Sequence, residues 1–516
     1  MNGTTVNQPS GPEPVTTTAA GCPPTCLAEA GVAPSLAPAR HSDEAGTAVM
    51  APAAEPAAAA RSLPGHAPGR RPELDLMRAF VVAGLVVFHS AVVFASGTSW
   101  FVNDPRPSRG FTVFLLWGSL WGMPLLFLIS GMSAQHAMRT RSPAAFARER
   151  LGRLLVPFAF GLVVLVPPMF YIARLGQPGF HQTYWRFWLS FLNVPAIARG
   201  LLPRGSWTSG GVSFDPAHLW FLYVLLLFTV ALLPLLAWLR APRGAALIRR
   251  LAGFADYHGA VVVWAAAIPM MAVEAAFGPD VNTGGWERAV YVFPFSYGFM
   301  IAADPRLEDA LRRSRWPTLA VACGATGALV SGAGALSQPG SGLGASVPPG
   351  WSALQGLAGW AWIAAIAGSA GSITARPRHR QNTANRPPAA PEPLWQRAAR
   401  YGNEAVLPFY LLHEPVIVAA AWFIVRWNAP ALAAYAALVG VSFAATLALY
   451  ELAVRRFRPA RLLLGMKPRQ PATSERLAWD MIRDTPESRT TSAQARDDRQ
   501  LRHSGRTAVP LSGALP

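Results

Sequence analysis

Ten apolar stretches, each near the length a helix needs to cross a bilayer, constrain this chain more than any other feature. They fall near 76–96, 112–134, 151–173, 217–239, 258–277, 286–303, 317–337, 352–374, 403–426 and 430–454. A spanning helix takes about 20 predominantly apolar residues. The sixth stretch is short and the seventh is rich in glycine. Composition agrees with burial in lipid, because only 14% of residues are charged, where a soluble domain carries about 25%. The expected fold is all-α: a polytopic transmembrane bundle of about ten helices with disordered polar tails.

Residues 1–70 are rich in Ala, Pro, Thr and Gly and lack apolar periodicity, so they are expected to form a disordered tail. Residues 71–466 form the membrane domain, and 467–516, rich in Arg, Asp, Ser and Thr, a second disordered tail. No apolar core follows the first Met, so no signal peptide is expected. Segment 181–199, with Tyr184, Trp185, Phe187 and Trp188, reads as an interfacial helix. Cys22 and Cys26 lack a second Cys or His pair to complete a metal site, and no metal is expected.

The net charge is +18, with Lys467 the one lysine among 45 basic residues. The arginines collect in the loops 135–150, 240–257, 304–316 and 375–402 and after 454, while loop 338–351 carries no charge. That alternation is the signature of membrane orientation rather than of nucleic-acid binding, and places both termini in the cytoplasm. The long outer loop 174–216, with four arginines, departs from the rule.

Ionisable residues inside a membrane are costly and mark function by default. The first helix carries Asp75, Arg78 and His89. Eleven residues turn a helix through about 1100°, so Arg78 and His89 share a face and stand roughly 16 Å apart along the axis. An Arg at the cytoplasmic entrance can hold a phosphate or carboxylate through its planar fork, and Asp75, one turn earlier, could orient it. A neutral His89 near mid-membrane can accept a proton. The competing readings are that Arg78 snorkels to the interface and that His89 pairs with a neighbouring helix. His413 and Glu414 lie deep in the ninth stretch, just before Pro415, which frees the carbonyl of Leu411 and bends the helix. A kinked packing helix would explain these too. Asp215 and Pro216 open the fourth stretch, which places His218 at the outer surface, against an acceptor or simply within an aromatic belt. Ser130 and Gly131 permit close helix packing. Arg148, Arg150 and Arg153 form a basic cluster that topology alone would explain, and that an anionic cofactor such as coenzyme A would also want.

In order, the Arg78–His89 pair, the Gly122–Gly131 stretch, the Arg-rich turn into the third helix, His218-Leu219-Trp220-Phe221-Leu222 and Leu407–Pro415 resemble the acyltransferase-3 family over about 72–465. Val166-Pro167-Pro168 and His413-Glu414-Pro415 are most similar to its glucans biosynthesis protein C branch, implicated in succinylating periplasmic glucans. The resemblance implies an inner-membrane O-acyltransferase with no bound cofactor. It would move an acetyl or succinyl group from cytoplasmic acyl-CoA to a hydroxyl of an envelope glycan or related acceptor. Arg78, with Arg150 and Arg153, would hold the donor. His89 would be base or nucleophile, with His413 beside it, and His218 and Glu414 would meet substrate. A multi-pass transporter or flippase is the competing class, since broken helices and buried histidines also suit transport; no duplicated half is visible to support it.

Overall fold

The computed structural model describes residues 72–192, 216–278, 286–336, 348–374 and 394–466. Both polar tails, Cys22, Cys26, Asp215 and most of the loops 174–216, 338–351 and 375–402 lie outside the described residues.

In chain order the helices are α1 (Pro72–Val92), α2 (Arg109–Arg139), α3 (Pro143–Phe160), α4 (Val166–Leu175), α5 (Tyr184–Phe191), α6 (Trp220–Ala231), α7 (Leu233–Arg240), α8 (Pro242–Ala265), α9 (Ala267–Phe277), α10 (Val292–Ile301), α11 (Pro305–Leu336), α12 (Pro349–Thr374), α13 (Leu394–Ile424), α14 (Ala431–Leu449) and α15 (Arg458–Leu463). No strand occurs among the described residues, only an isolated bridge between Ala95 and Ser108. The described residues are therefore all-helical, as the apolar runs require.

Among the described residues, seven helical stretches are long and apolar enough to cross a membrane. An eighth arises if α6 and α7, bent by 53°, count as one span. Pro234 at the start of α7 explains that bend, since it brings no N–H to the helix ladder. The sixth expected span turns out to be a 3₁₀ turn followed by the ten-residue α10, and the seventh is the second half of α11, which opens with several charged residues. Neither is among the seven. Segment 181–199 is helical over Tyr184–Phe191, with Trp185 and Leu189 exposed and Phe187 buried, an amphipathic pattern suited to an interface.

Local sequence explains how the helices start and bend. Ser108 caps α2 by accepting from the Gly110 N–H, and Ser142 caps α3, with Pro143 in its first turn. Between α3 and α4 the chain makes a π turn at Gly161–Leu165, just ahead of Pro167 and Pro168. Such turns absorb an extra residue and are frequent at functional sites. Helix α1 packs against α13 and α2, and α2 against α10 and α12. The α2–α10 seam is backbone to backbone. A Cβ at Gly131 would collide with the Phe295 carbonyl, and one at Gly298 with the Leu128 carbonyl. Two reciprocal glycines thus allow a contact no other residue permits, as expected for Ser130-Gly131. Beside this seam Phe127 stacks on Tyr291 at 4.8 Å and is fully buried.

Candidate active site

Helices α1 and α13 run together, and each brings a polar pair at the same spacing. Arg78 and His89 are eleven apart on α1, and Asn403 and Glu414 are eleven apart on α13. Two stripes of like pitch therefore face one seam. At one end Arg78 donates from Nη2 to Ser133 Oγ at 2.6 Å and from Nη1 to Asn403 Oδ1 at 3.2 Å. Asp75, expected to orient Arg78, approaches it only to 3.8 Å, beyond hydrogen-bond reach. The hydrogen bonds of the guanidinium thus run to α2 and α13, while its own helix contributes a longer ion pair.

Around it lies a cavity of about 270 Å³, also lined by Arg150, Arg153, Arg141, Glu149, Ser130 and Tyr410. Arg141 and Glu149 pair at 2.7 Å. Arg150 lies over the Phe146 ring, and among the described residues neither it nor Arg153 has a carboxylate partner. Three guanidiniums thus face one space, and planar forks of this kind match the geometry of phosphate or carboxylate oxygens. Arg148 is exposed and is not part of this lining.

At the other end the histidines meet. His413, fully buried, places Nδ1 2.6 Å from the Tyr410 carbonyl and Nε2 3.1 Å from His89 Nδ1. A carbonyl only accepts, so the neutral His413 ring carries its proton on Nδ1 and offers a lone pair at Nε2. His89 Nδ1 also lies 3.1 Å from the Leu85 carbonyl. Both partners of His89 Nδ1 are acceptors, so that atom holds the proton. The free lone pair of His89 is then on Nε2.

His218, expected at the outer surface, is instead buried in this cluster. Its Nε2 lies 3.2 Å from the Leu411 carbonyl, the one that Pro415 leaves without a helix partner. The proline that breaks the ladder of α13 thus creates the acceptor that holds His218. His218 Nδ1 stands 3.1 Å from Glu414 Oε2. Neither atom makes an aligned hydrogen bond, so this is a close polar approach rather than a directed bond. Tyr410 completes the cluster by donating its hydroxyl to the His218 carbonyl. Donor atoms of His89, His413 and Glu414 lie within 4.8 Å of one another, close enough to share a divalent cation.

His89 and His218 line a second cavity, of about 750 Å³, whose other walls are largely apolar, and Tyr410 lines both cavities. The site predicted from sequence is thus split between two adjoining spaces. Arg78, Arg150 and Arg153 meet in the first, and His89 and His218 reach the second, backed by His413 and Glu414. Ser133, Asn403 and Tyr410 escaped sequence reasoning. The available signal was the polar stripe Asn403–Tyr410–Glu414, at intervals of seven and four on one helix.

A family model for an acyltransferase domain matches residues 71–451. The chain belongs to the acyltransferase-3 family. This acyltransferase is a multi-pass membrane enzyme transferring groups other than aminoacyl groups. The match covers every residue of both cavities. No curated protein and no solved structure matches the acyltransferase.

Proposed function

We propose that this enzyme moves an acyl group from cytoplasmic acyl-CoA to a hydroxyl of a cell-envelope glycan or related acceptor, with His89 as general base. The observation that carries the reading is the His89–His413 contact at 3.1 Å, which leaves His89 Nε2 as a free base beside an open cavity. Arg78, Arg150 and Arg153 hold the phosphates of the donor. His89 Nε2 takes the proton of the acceptor hydroxyl as its oxygen attacks the thioester carbonyl carbon. The new C–O bond forms, the C–S bond breaks, and the sulfur recovers the proton from His89 as the free thiol. While His89 carries the extra proton, His413 Nε2 accepts from its Nδ1–H, and the Glu414 carboxylate lies close by, so the transient charge is compensated. Alignment of the reactants supplies much of the remaining rate.

Acetyl and succinyl are the acyl groups that the resemblance brings, with the glucan branch favouring succinyl. Arginine-rich loops favour an orientation with both termini on the cytoplasmic face of the plasma (inner) membrane.

The test is thiol release from acetyl-CoA and succinyl-CoA by the detergent-purified protein, with and without an envelope glycan extract. Release by wild type that disappears in His89→Ala supports the reading. Release that persists in His89→Ala overturns the role of His89. Absence of release with any donor, together with substrate movement in liposomes, would make the protein a transporter.

A further inference from the structure

The cavity beside His89 is much larger and more apolar than an acetyl or succinyl group needs. Its volume of about 750 Å³ falls within the roughly 300–1,000 Å³ of pockets that enclose whole small-molecule ligands. Along α1 its lining runs from Met77 to His89, and α2 supplies Phe114, Trp117, Trp121 and Met123. The twelve helical steps from Met77 to His89 give it a length of roughly 18 Å. No arginine or lysine is among the described residues lining it. Phe80, another wall residue, is 71% exposed, so the space opens on the side of α1 that faces lipid.

These features select an occupant. A glycan surrounds its reacting hydroxyl with further hydroxyls, and each would lose its water without gaining a partner here. A succinyl tail would bury a carboxylate with no guanidinium to meet it. An acyl donor, by contrast, has hydrocarbon bonded directly to the carbonyl carbon that must sit at His89. We infer that this cavity binds the hydrocarbon chain of the acyl donor, so that the enzyme prefers acyl groups well beyond acetyl in length. The inference rests on the reading of His89 as the base of acyl transfer.

Gly84 and Gly122 provide the handle. Both line the cavity, and a Cβ added to either meets no atom within 4 Å. A leucine there projects into the space instead of into packed atoms. The experiment follows thiol release from acetyl-, butyryl-, octanoyl- and palmitoyl-CoA by the full chain in detergent, in wild type, Gly84→Leu, Gly122→Leu and His89→Ala. The expected result is a rise in kcat/KM of roughly fourfold per methylene until the cavity is filled. In each leucine variant the octanoyl-to-acetyl ratio falls and the optimum moves to shorter chains, a readout that overall loss of active protein does not imitate.

Release that depends on His89 but is fastest with acetyl- or succinyl-CoA, with ratios unmoved in both leucine variants, overturns this inference and leaves the proposed function standing. A flat chain-length profile, with the leucine variants impaired only toward a lipid-linked acceptor, overturns it in favour of an acceptor tail. If no donor releases thiol, the proposed function falls, and binding decides the inference alone. Thermal stabilisation of His89→Ala by octanoyl-CoA above that by acetyl-CoA, lost on adding Gly84→Leu, supports it; equal stabilisation by both overturns it.

Discussion

The two cavities that meet at Tyr410 are built on opposite principles. The smaller gathers Arg78, Arg150 and Arg153, with their charge largely unmatched by carboxylates. The larger has few polar walls, and the histidines at its edge are tied through Nδ1 or Nε2 to backbone carbonyls. One region concentrates positive charge, and the other fixes the position and tautomer of His89 and His413. The seam between α1 and α13 thus carries a cationic end at Arg78 and a histidine end at His89, with Glu414 as the carboxylate beside it. Mutations in the two regions should therefore fail differently.

The largest effect is expected from His89→Ala, which removes the base and should lower kcat by about a hundredfold to ten-thousandfold with KM little changed. Equal losses in kcat and donor affinity would erase the distinction between the regions. Arg78→Ala should instead lower kcat/KM for the donor by about ten- to hundredfold, mostly through KM, the worth of a charged hydrogen-bonded contact. Arg78→Lys should recover little, because Ser133 and Asn403 engage two separate nitrogens of a planar fork. His413→Ala should reduce kcat by about five- to tenfold, since it removes the acceptor that backs His89 Nδ1. Asp75→Asn should change kcat/KM less than His413→Ala, because its carboxylate makes no hydrogen bond to the guanidinium. Its distance of 3.8 Å puts it behind Ser133 and Asn403, so a larger loss than in Ser133→Ala would reverse that order. Last, a chelator should leave the rate unchanged if His413 and Glu414 act only to support His89 as the base. Loss of activity on chelation, restored by zinc, would turn the second region into a metal centre.

Much of this design was legible in the chain. The apolar runs located helices α1, α2 and α14 to within about five residues and α13 only from near 403 onward, since α13 begins at Leu394. The eleven-residue interval put Arg78 and His89 on one face, and Ser130-Gly131 marked the tight seam to α10. Periodicity and residue size are local properties, and a helix in lipid has few other ways to satisfy its backbone. The same reasoning misplaced His218. The start of a helix normally lies at the membrane surface, but the site here reaches that turn through the Leu411 carbonyl and Glu414, which come from about 190 residues further along the chain.

The sequence by itself determined that this protein is a helical membrane enzyme, which of its helices carry ionisable groups, and that Pro415 leaves a carbonyl free. Tertiary structure decided which partners those groups meet. Arg78 is hydrogen-bonded to Ser133 and Asn403, with Asp75 as a longer ion pair, His89 leans on His413, and His218 takes the carbonyl released by Pro415. The reason is that hydrogen bonds act over about 3 Å. Whether two groups hundreds of residues apart come that close depends on how the helices cross, which no local pattern records.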